Sequence, residues 1–210
     1  GSDKLLLDSG ADVAAADNNG LTSLILAARG GHVTVTKLLL DSGADVAAAD
    51  NNGVTALMFS AYGGHEEVTQ LLLDSGANVA AATDNGATAL EYAALGGHEN
   101  VTKLLLDSGA DVAAANNNGV TALMVSAHGG HEEMTRVLLH HGADAATTDI
   151  NGKTALMHAA IGGHETVTKL LLENGADVAA ADNNGLTSLT VSTQCGHVAV
   201  AKLLVESGAS

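Results

Sequence analysis

Three series of single residue types recur every 33 residues along this chain. The first is a glycine series: Gly10, Gly43, Gly76, Gly109, Gly142, Gly175 and Gly208. The second is also a glycine series: Gly20, Gly53, Gly86, Gly119, Gly152 and Gly185. The third is a histidine series: His32, His65, His98, His131, His164 and His197. A fixed period of this length is typical of a solenoid, in which each repeat packs on its neighbours.

One period, residues 43–75, contains signals for a turn and two helices. Asp50-Asn51-Asn52-Gly53 predicts a hairpin-like turn, since Asn and Gly tolerate positive φ. Thr55 is expected to cap a short first helix from Ala56 to about Tyr62, which Gly63-Gly64 ends. A second helix follows, with Glu66 and Glu67 at its positive N-terminal end, Val68, Leu71 and Leu72 as its apolar stripe, and Gly76 as its left-handed stop.

The composition limits which partners the chain can have. Asp and Glu number 24 against 8 Lys and Arg, a formal net charge of −16. Such a surface repels phosphate backbones, which argues against nucleic-acid binding and favours a basic protein or peptide. The alternative is that the charge serves solubility alone. No apolar run approaches the ~20 residues that cross a bilayer, so membrane insertion is not expected. A single cysteine, Cys195, is compatible with a reducing intracellular compartment, and we expect a cytoplasmic location.

These features resemble the ankyrin repeat, whose period is 33 residues and whose first helix opens with Thr-Pro-Leu-His-x-Ala. The resemblance includes the Gly-Ala-Asp-Val run at 43–46, the Gly-His between the helices and the Leu-Leu of the second helix. It implies an all-α, ankyrin-type solenoid of stacked helix-turn-helix repeats with short β-hairpin-like turns. It covers residues 3–210 as a single array, with a partial repeat at 3–9 that supplies only a second helix. The full repeats are expected at about 10–42, 43–75, 76–108, 109–141, 142–174 and 175–207.

The chain departs from the family pattern at the start of the first helix. Thr and Leu are kept in all six repeats, but the Pro and the His never occur. The loss of Pro removes a preset φ, at a cost of roughly 0.4–1 kcal/mol per site where that geometry fits. In the third repeat Thr88 and Glu91 have capping-box spacing, so we expect a local substitute there.

Two further features concern the array as a whole. Even repeats carry Ser60, Ser126 and Ser192 where odd repeats carry Ala27, Ala93 and Ala159, a longer rhythm that indicates duplication of a two-repeat block. The last helix, Val198 to Ser207, is not polar on its outer side, unlike a capping repeat. The expectation is therefore a fragment of a longer array, or ends that associate weakly.

No pattern in the sequence predicts catalysis, a cofactor or a metal site. The periodic histidines are expected to hold the turn between helices, because stacked helices lie about 8–10 Å apart, too far for neighbouring copies to share a metal. The Asp-Asn-Asn-Gly turns do not fit a calcium loop, since Ala15 and Leu26 fall at ligand positions. Cys195 has no nearby cationic pattern that would activate its thiol. We therefore expect no enzymatic activity.

One surface position differs in every repeat, although the residues around it are nearly fixed. This variable position, at the end of the first helix, holds Arg29, Tyr62, Leu95, His128, Ile161 and Gln194. Ile150 and Lys153 add a local break in the acidic surface of the fifth repeat. Together these eight residues form the predicted partner-binding set. The alternative is that the variable position is exposed and its side chain varies without constraint. Phe59, Tyr92 and His158 occupy a position usually filled by Leu, and we expect them in the core.

Two functions fit these observations. The resemblance implies a protein–protein interaction module, a scaffold that binds a partner on its concave face at the variable position. The alternative is a structural or spacer array within a larger protein, which associates through uncapped ends. The scarcity of Trp, Tyr and Arg, the residues enriched in binding hot spots, keeps the second function open.

Overall fold

A computed structural model describes residues 12–209 of the chain, so the partial helix predicted at 3–9 lies outside the described residues. The chain divides into two compact units, residues 1–110 and 111–210. The described part of the first unit contains six helices: α1 Ser23–Arg29, α2 Val33–Asp41, α3 Ala56–Gly63, α4 Glu66–Asp74, α5 Ala89–Gly96 and α6 Glu99–Asp107. The described part of the second unit also contains six: α7 Ala122–Gly129, α8 Glu132–His140, α9 Ala155–Gly162, α10 Glu165–Glu173, α11 Ser188–Gln194 and α12 Val198–Glu206.

Each unit is a series of helix pairs, as the period predicts. In the first unit the first helices α1, α3 and α5 pack in sequence, and so do the second helices α2, α4 and α6. In the second unit α7, α9 and α11 form one series, and α8, α10 and α12 form the other. Since each helix is short, its apolar face is buried mainly by the neighbouring repeats.

Threonine side chains begin most of the first helices. The hydroxyl of Thr55 accepts a hydrogen bond from the backbone N–H of Met58 at 3.4 Å, and the same arrangement recurs at Thr22, Thr121, Thr154 and Thr187. The capping box expected at Thr88 and Glu91 is wrong, because Thr88 makes no side-chain capping bond. Left-handed glycines end the helices, as at Gly64, where φ is 69°.

The hairpin-like turns are isolated β-bridges in the described chain, such as the one between Ala49 and Thr55. Inside this turn the Asp50 carboxylate accepts the N–H groups of Asn52 at 2.9 Å and of Val54 at 2.8 Å. The turn is also joined to the preceding one, since the Asn51 side chain donates to the carbonyl of Asn18 at 2.9 Å. Short polar side chains thus satisfy backbone groups that would otherwise lack partners.

The core contains polar residues that the apolar pattern does not predict. A threonine on the second helix is fully buried in the first five repeats: Thr36, Thr69, Thr102, Thr135 and Thr168. The Thr69 hydroxyl donates to the carbonyl of His65 at 2.9 Å and lies 3.1 Å from the Ser60 hydroxyl. Ser126 and Thr135 form the same pair at 3.0 Å. The serines of the second and fourth repeats therefore add a buried hydrogen bond between the two helices of one repeat, and the alanines of the odd repeats do not. In the sixth repeat Ala201 stands at the threonine position, and Ser192 donates to the carbonyl of Leu189 at 2.9 Å.

The periodic histidines connect successive repeats. His65 Nε2 lies 3.0 Å from the carbonyl oxygen of Arg29, and His98 Nε2 lies 2.8 Å from that of Tyr62. In the second unit His164 reaches the carbonyl of His128 at 2.8 Å, and His197 reaches that of Ile161 at 2.9 Å. The two partners of each bond are 36 residues apart in sequence. These histidines therefore join two successive repeats, in addition to lying in the turn between the helices of their own repeat.

Glycines make room for this histidine. A Cβ at Gly31 would lie 2.6 Å from His65 Nδ1, and one at Gly63 would also collide with the same ring. The imidazole of His65 therefore packs between the glycines of two repeats. This explains why Gly-Gly precedes the histidine in five of the six repeats. Cys195 replaces the first glycine in the sixth repeat, where its side chain is exposed.

We predict that His98→Ala lowers the free energy of unfolding by about 1 kcal/mol, because it removes a hydrogen bond and the packing against the glycines. Urea unfolding followed by circular dichroism measures the change. His140→Ala is the control, since His140 is exposed at the end of α8. Equal midpoints for both variants would show that the bond to Tyr62 contributes nothing to stability.

Candidate functional site

The variable position is exposed at five of its six residues. In the first unit Arg29 is exposed, Tyr62 is 55% exposed and Leu95 is 53% exposed. In the second unit His128 and Gln194 are exposed, whereas Ile161 is half-buried. The helices that carry these side chains are buried on their other sides, which places them at fixed points on the surface.

A second row of residues accompanies the variable position, three residues earlier on each first helix. In the first unit it consists of Leu26, Phe59 and Tyr92. Leu26 is 49% exposed, and Phe59 and Tyr92 are half-buried. The prediction that Phe59, Tyr92 and His158 are core residues is wrong, since His158 is half-buried as well. The reason is geometric: residues three apart share one face of a helix, so this row borders the exposed one.

The two rows contact each other across successive repeats. The guanidinium carbon of Arg29 lies 5.8 Å from the centroid of the Phe59 ring, within the range of a cation–π interaction. In the second unit the rings of His128 and His158 are 6.1 Å apart and nearly perpendicular. We name the six residues Leu26, Arg29, Phe59, Tyr62, Tyr92 and Leu95 the first-helix face of the first unit.

The backbone beneath this face is held independently of its side chains. The carbonyl oxygens of Arg29 and Tyr62 are the atoms that His65 and His98 reach, at 3.0 and 2.8 Å. Each of these two variable residues thus contributes a backbone atom to the hydrogen bonds between repeats and leaves its side chain exposed. This arrangement explains how the side chain can change from repeat to repeat while the neighbouring residues stay the same.

Negative charge acts on Tyr92, one of the aromatic residues of this face. The pKa of the Tyr92 phenol is raised, first by burial and then by the negative charges of Asp50 and Glu91. Because both carboxylates act on the Tyr92 hydroxyl, this part of the face combines an aromatic surface with negative charge. Such a surface favours a ligand that offers an apolar group next to a cation.

Ile150 and Lys153 lie at the turn of the fifth repeat. The Ile150 side chain is 61% exposed. Its N–H donates to the carbonyl of Asn118 at 2.9 Å, and its carbonyl accepts from the Asn183 side chain at 3.0 Å. Lys153 is half-buried, and its N–H donates to Asp149 Oδ1 at 2.9 Å. The turn thus presents one aliphatic side chain on a fixed backbone.

His158 is the most unusual residue near this turn. Its Nε2 atom lies 3.5 Å from Asp149 Oδ2, is buried, and has no hydrogen-bond partner among the described residues. Burial lowers the pKa of His158, and this outweighs the attraction of Asp149. Electrostatic interactions with His128 and Lys153 lower it further. Protonation of the imidazole is therefore less favourable in the folded protein than in the unfolded chain.

Two classes of site find no support in the described residues. Within 12–209 no three His, Cys, Asp or Glu side chains come together as a metal site. The helices in the same range have at most nine residues, and none is long and apolar enough to cross a membrane.

Comparison with known families places this chain. A family model described as Ankyrin repeats (3 copies) matches residues 3–83, 80–149 and 141–210. The chain therefore belongs to the ankyrin repeat family, and its fold is the all-α repeat fold of that family. Members of this family generally act as protein–protein interaction modules and are typically not enzymes. None of the curated proteins compared with the chain matches it.

We predict that His158→Val reduces the pH dependence of stability. A folded pKa below the ordinary value of about 6.5 means that the folded state disfavours protonation. The stability from neutral His158 is fully present above about pH 6.5 and is lost as pH falls through the lowered folded pKa. Urea unfolding at several pH values between about 7.5 and 5 measures this loss.

Valine is the matched replacement for His158, because Val125 and Val191 occupy the same position in the fourth and sixth repeats. The variant should lose less stability than the parent protein over this pH range. Parallel curves for the two proteins would mean that His158 does not titrate differently on unfolding.

Proposed function

We propose that the first-helix face of the first unit binds an extended or helical segment of a partner protein. One observation carries the proposal. In residues 12–110 the large hydrophobic side chains that are exposed are Leu26, Tyr62 and Leu95, and all three lie on this face. Water-exposed apolar side chains gathered on one face are typical of a surface that a partner covers.

Rigidity supports the same proposal. Backbone atoms at Arg29 and Tyr62 are held by His65 and His98, and Arg29 is stacked near Phe59. A face that is already ordered loses little conformational entropy when a partner binds, so more of the contact energy appears as affinity. Tyr62 adds a rigid aromatic group, a residue type that is enriched in hot spots.

Charge indicates what kind of segment fits. Asp50 and Glu91 act on Tyr92, and the chain carries a formal net charge of −16. A partner segment with an aliphatic or aromatic anchor beside a Lys or Arg complements this face, and the overall charge speeds its approach. The single thiol of Cys195 is compatible with a reducing compartment, so the proposed partner is an intracellular, cytoplasmic protein.

The affinity should be moderate. The chain contains no Trp, and the face has only two tyrosines and one arginine as potential hot-spot residues. A micromolar dissociation constant, equivalent to about −8 kcal/mol, is the expected range. Such an affinity suits a scaffold that holds its partner reversibly.

We predict that peptides selected on this protein from a random library depend on Tyr62 and Leu95. The double variant Tyr62→Ala and Leu95→Ala removes two exposed anchors and should weaken binding of a selected peptide about tenfold or more, whereas the unfolding midpoint should change little. Fluorescence anisotropy with the synthetic peptide measures the dissociation constant. The control is Val198→Ala with Val205→Ala, which truncates exposed side chains on α12. A selected peptide that binds the Tyr62/Leu95 variant as tightly as the parent argues against this face.

A second candidate function rests on α12. Val198 is 78% exposed and Val205 is 55% exposed on this helix, which is otherwise amphipathic. In this alternative the chain is a spacer array, and α12 associates weakly with another copy or with an adjoining repeat.

For this alternative we predict a sedimentation coefficient that rises with protein concentration, because exposed valines on two copies would be buried together. The variant Val198→Ser with Val205→Ser should abolish the rise. A coefficient that is constant for both proteins after extrapolation for non-ideality would exclude association through α12.

A further inference from the structure

A groove on the second helices of the first unit has a different character from the first-helix face. It has a volume of about 400 Å³ and is lined by residues of α2, α4 and α6. Its apolar lining consists of Val33, Leu71 and Leu104, one from each helix, and all three are half-buried. The volume falls within the range of about 300–1,000 Å³ that is usual for ligand pockets.

Carboxylates dominate the charge of this groove. Glu66, Glu67 and Asp74 of α4 line it, against one cation, Lys37 of α2. Glu66 accepts a hydrogen bond from the Asn100 side chain at 3.2 Å. Asp74 accepts one from the Gln70 side chain at 2.7 Å. Amides orient these carboxylates but leave their negative charge in place.

The excess charge has a specific origin in the sequence. Gln70 stands where the other second helices have a cation: Lys37, Lys103, Arg136, Lys169 and Lys202. In four of those helices the cation pairs with a carboxylate of its own helix, as Arg136 does with Glu132 at 3.0 Å. The helix α4 alone combines three carboxylates with no Lys or Arg of its own.

The second unit provides a contrasting groove. It is of similar volume, about 430 Å³, and its lining includes Leu172, Val178 and Leu203. Its charged lining is one cation and one carboxylate, Lys169 and Glu173, which lie 3.9 Å apart. Two grooves of like size thus differ in charge, and only the one in the first unit has unbalanced acidic groups among its lining.

We propose that the groove on α2, α4 and α6 is a second interaction surface, and that it binds a short amphipathic, basic segment of a partner protein. An aliphatic side chain of that segment packs on Val33, Leu71 and Leu104. Its Lys or Arg side chains pair with Glu66, Glu67 and Asp74. This surface uses the second helices, so it does not depend on the first-helix face and the two can be occupied independently.

The test uses a synthetic peptide with leucine at every third or fourth position and lysine between, labelled for fluorescence anisotropy. We expect it to bind the parent protein. Gln70→Lys puts back the cation found in the other repeats and should weaken binding about fivefold, the effect of one exposed charge pair. A peptide with glutamate in place of lysine should not bind.

Three controls separate this site from general electrostatic attraction. Thr166→Lys adds the same charge on α10 of the second unit, where the side chain is exposed, and should leave the affinity unchanged. Gln70→Met keeps the size of the side chain without a charge, so it measures the loss of the hydrogen bond to Asp74 alone and should weaken binding less than Gln70→Lys. The variant Tyr62→Ala with Leu95→Ala should bind the peptide normally, even if the first-helix face proves to have no ligand.

The outcomes are distinct. The proposal is supported if Gln70→Lys weakens binding more than Gln70→Met and Thr166→Lys do, and if the peptide shifts the Leu71 and Leu104 methyl resonances. Equal weakening by Gln70→Lys and Thr166→Lys would mean that only net charge matters and would overturn it. Loss of binding in the Tyr62/Leu95 variant would move the peptide to the first-helix face. Absence of binding to the parent protein would also overturn the proposal.

Discussion

The hydrogen bond from a histidine of one repeat to a backbone carbonyl of the preceding repeat determines much of what this chain can do. His65 and His98 reach the carbonyls of Arg29 and Tyr62. Each ring has its space because the first glycine of its own repeat and the second glycine of the preceding repeat carry no side chain. The bond fixes the end of each preceding first helix by a backbone atom. Because the side chain at that point is not needed for the bond, it is available for contacts with a partner.

The backbone therefore stabilises the fold while the side chain stays free for binding. This explains why most positions hold the same residue type in every repeat and one position differs. Leucines, alanines and threonines fill the same buried positions in successive repeats, so changes there cost packing energy or a buried hydrogen bond. At the variable position, by contrast, successive repeats have Arg29, Tyr62 and Leu95, and this difference alters only the exposed surface. A similar single change occurs on the second helices. Gln70 is neutral at a position where the other five second helices have Lys or Arg.

Much of the fold follows from the sequence, because its signals are local. The 33-residue period, the Thr cap at Thr55 and the glycine stop at Gly76 are all read within one repeat, and the helices begin where these signals place them. The partner of His65 was not predictable in this way. It lies 36 residues earlier, and the spacing of one repeat from the next is set by packing between helices.

The candidate site was only partly predictable for the same reason. The exposed row at Arg29, Tyr62 and Leu95 can be found in the sequence, because its residue type changes in every repeat while the residues next to it stay nearly the same. The neighbouring row with Phe59 and His158 reads as core, since apolar and aromatic residues there match the pattern of buried ones. Helical spacing was the available signal: a residue three positions before an exposed one shares its face. The buried Thr69 and its bond to Ser60 give no apolar signal at all.

The central claim is that side chains at the variable position bind while the backbone beneath them keeps the fold. The most direct measurement is the affinity of a selected peptide for a variant in which two of these side chains trade places, Tyr62→Leu with Leu95→Tyr. Composition and charge are then unchanged. We expect a folded protein with an unaltered urea midpoint and a clearly weaker affinity. An unchanged affinity would contradict this claim. A weaker affinity together with a lower urea midpoint would contradict it as well.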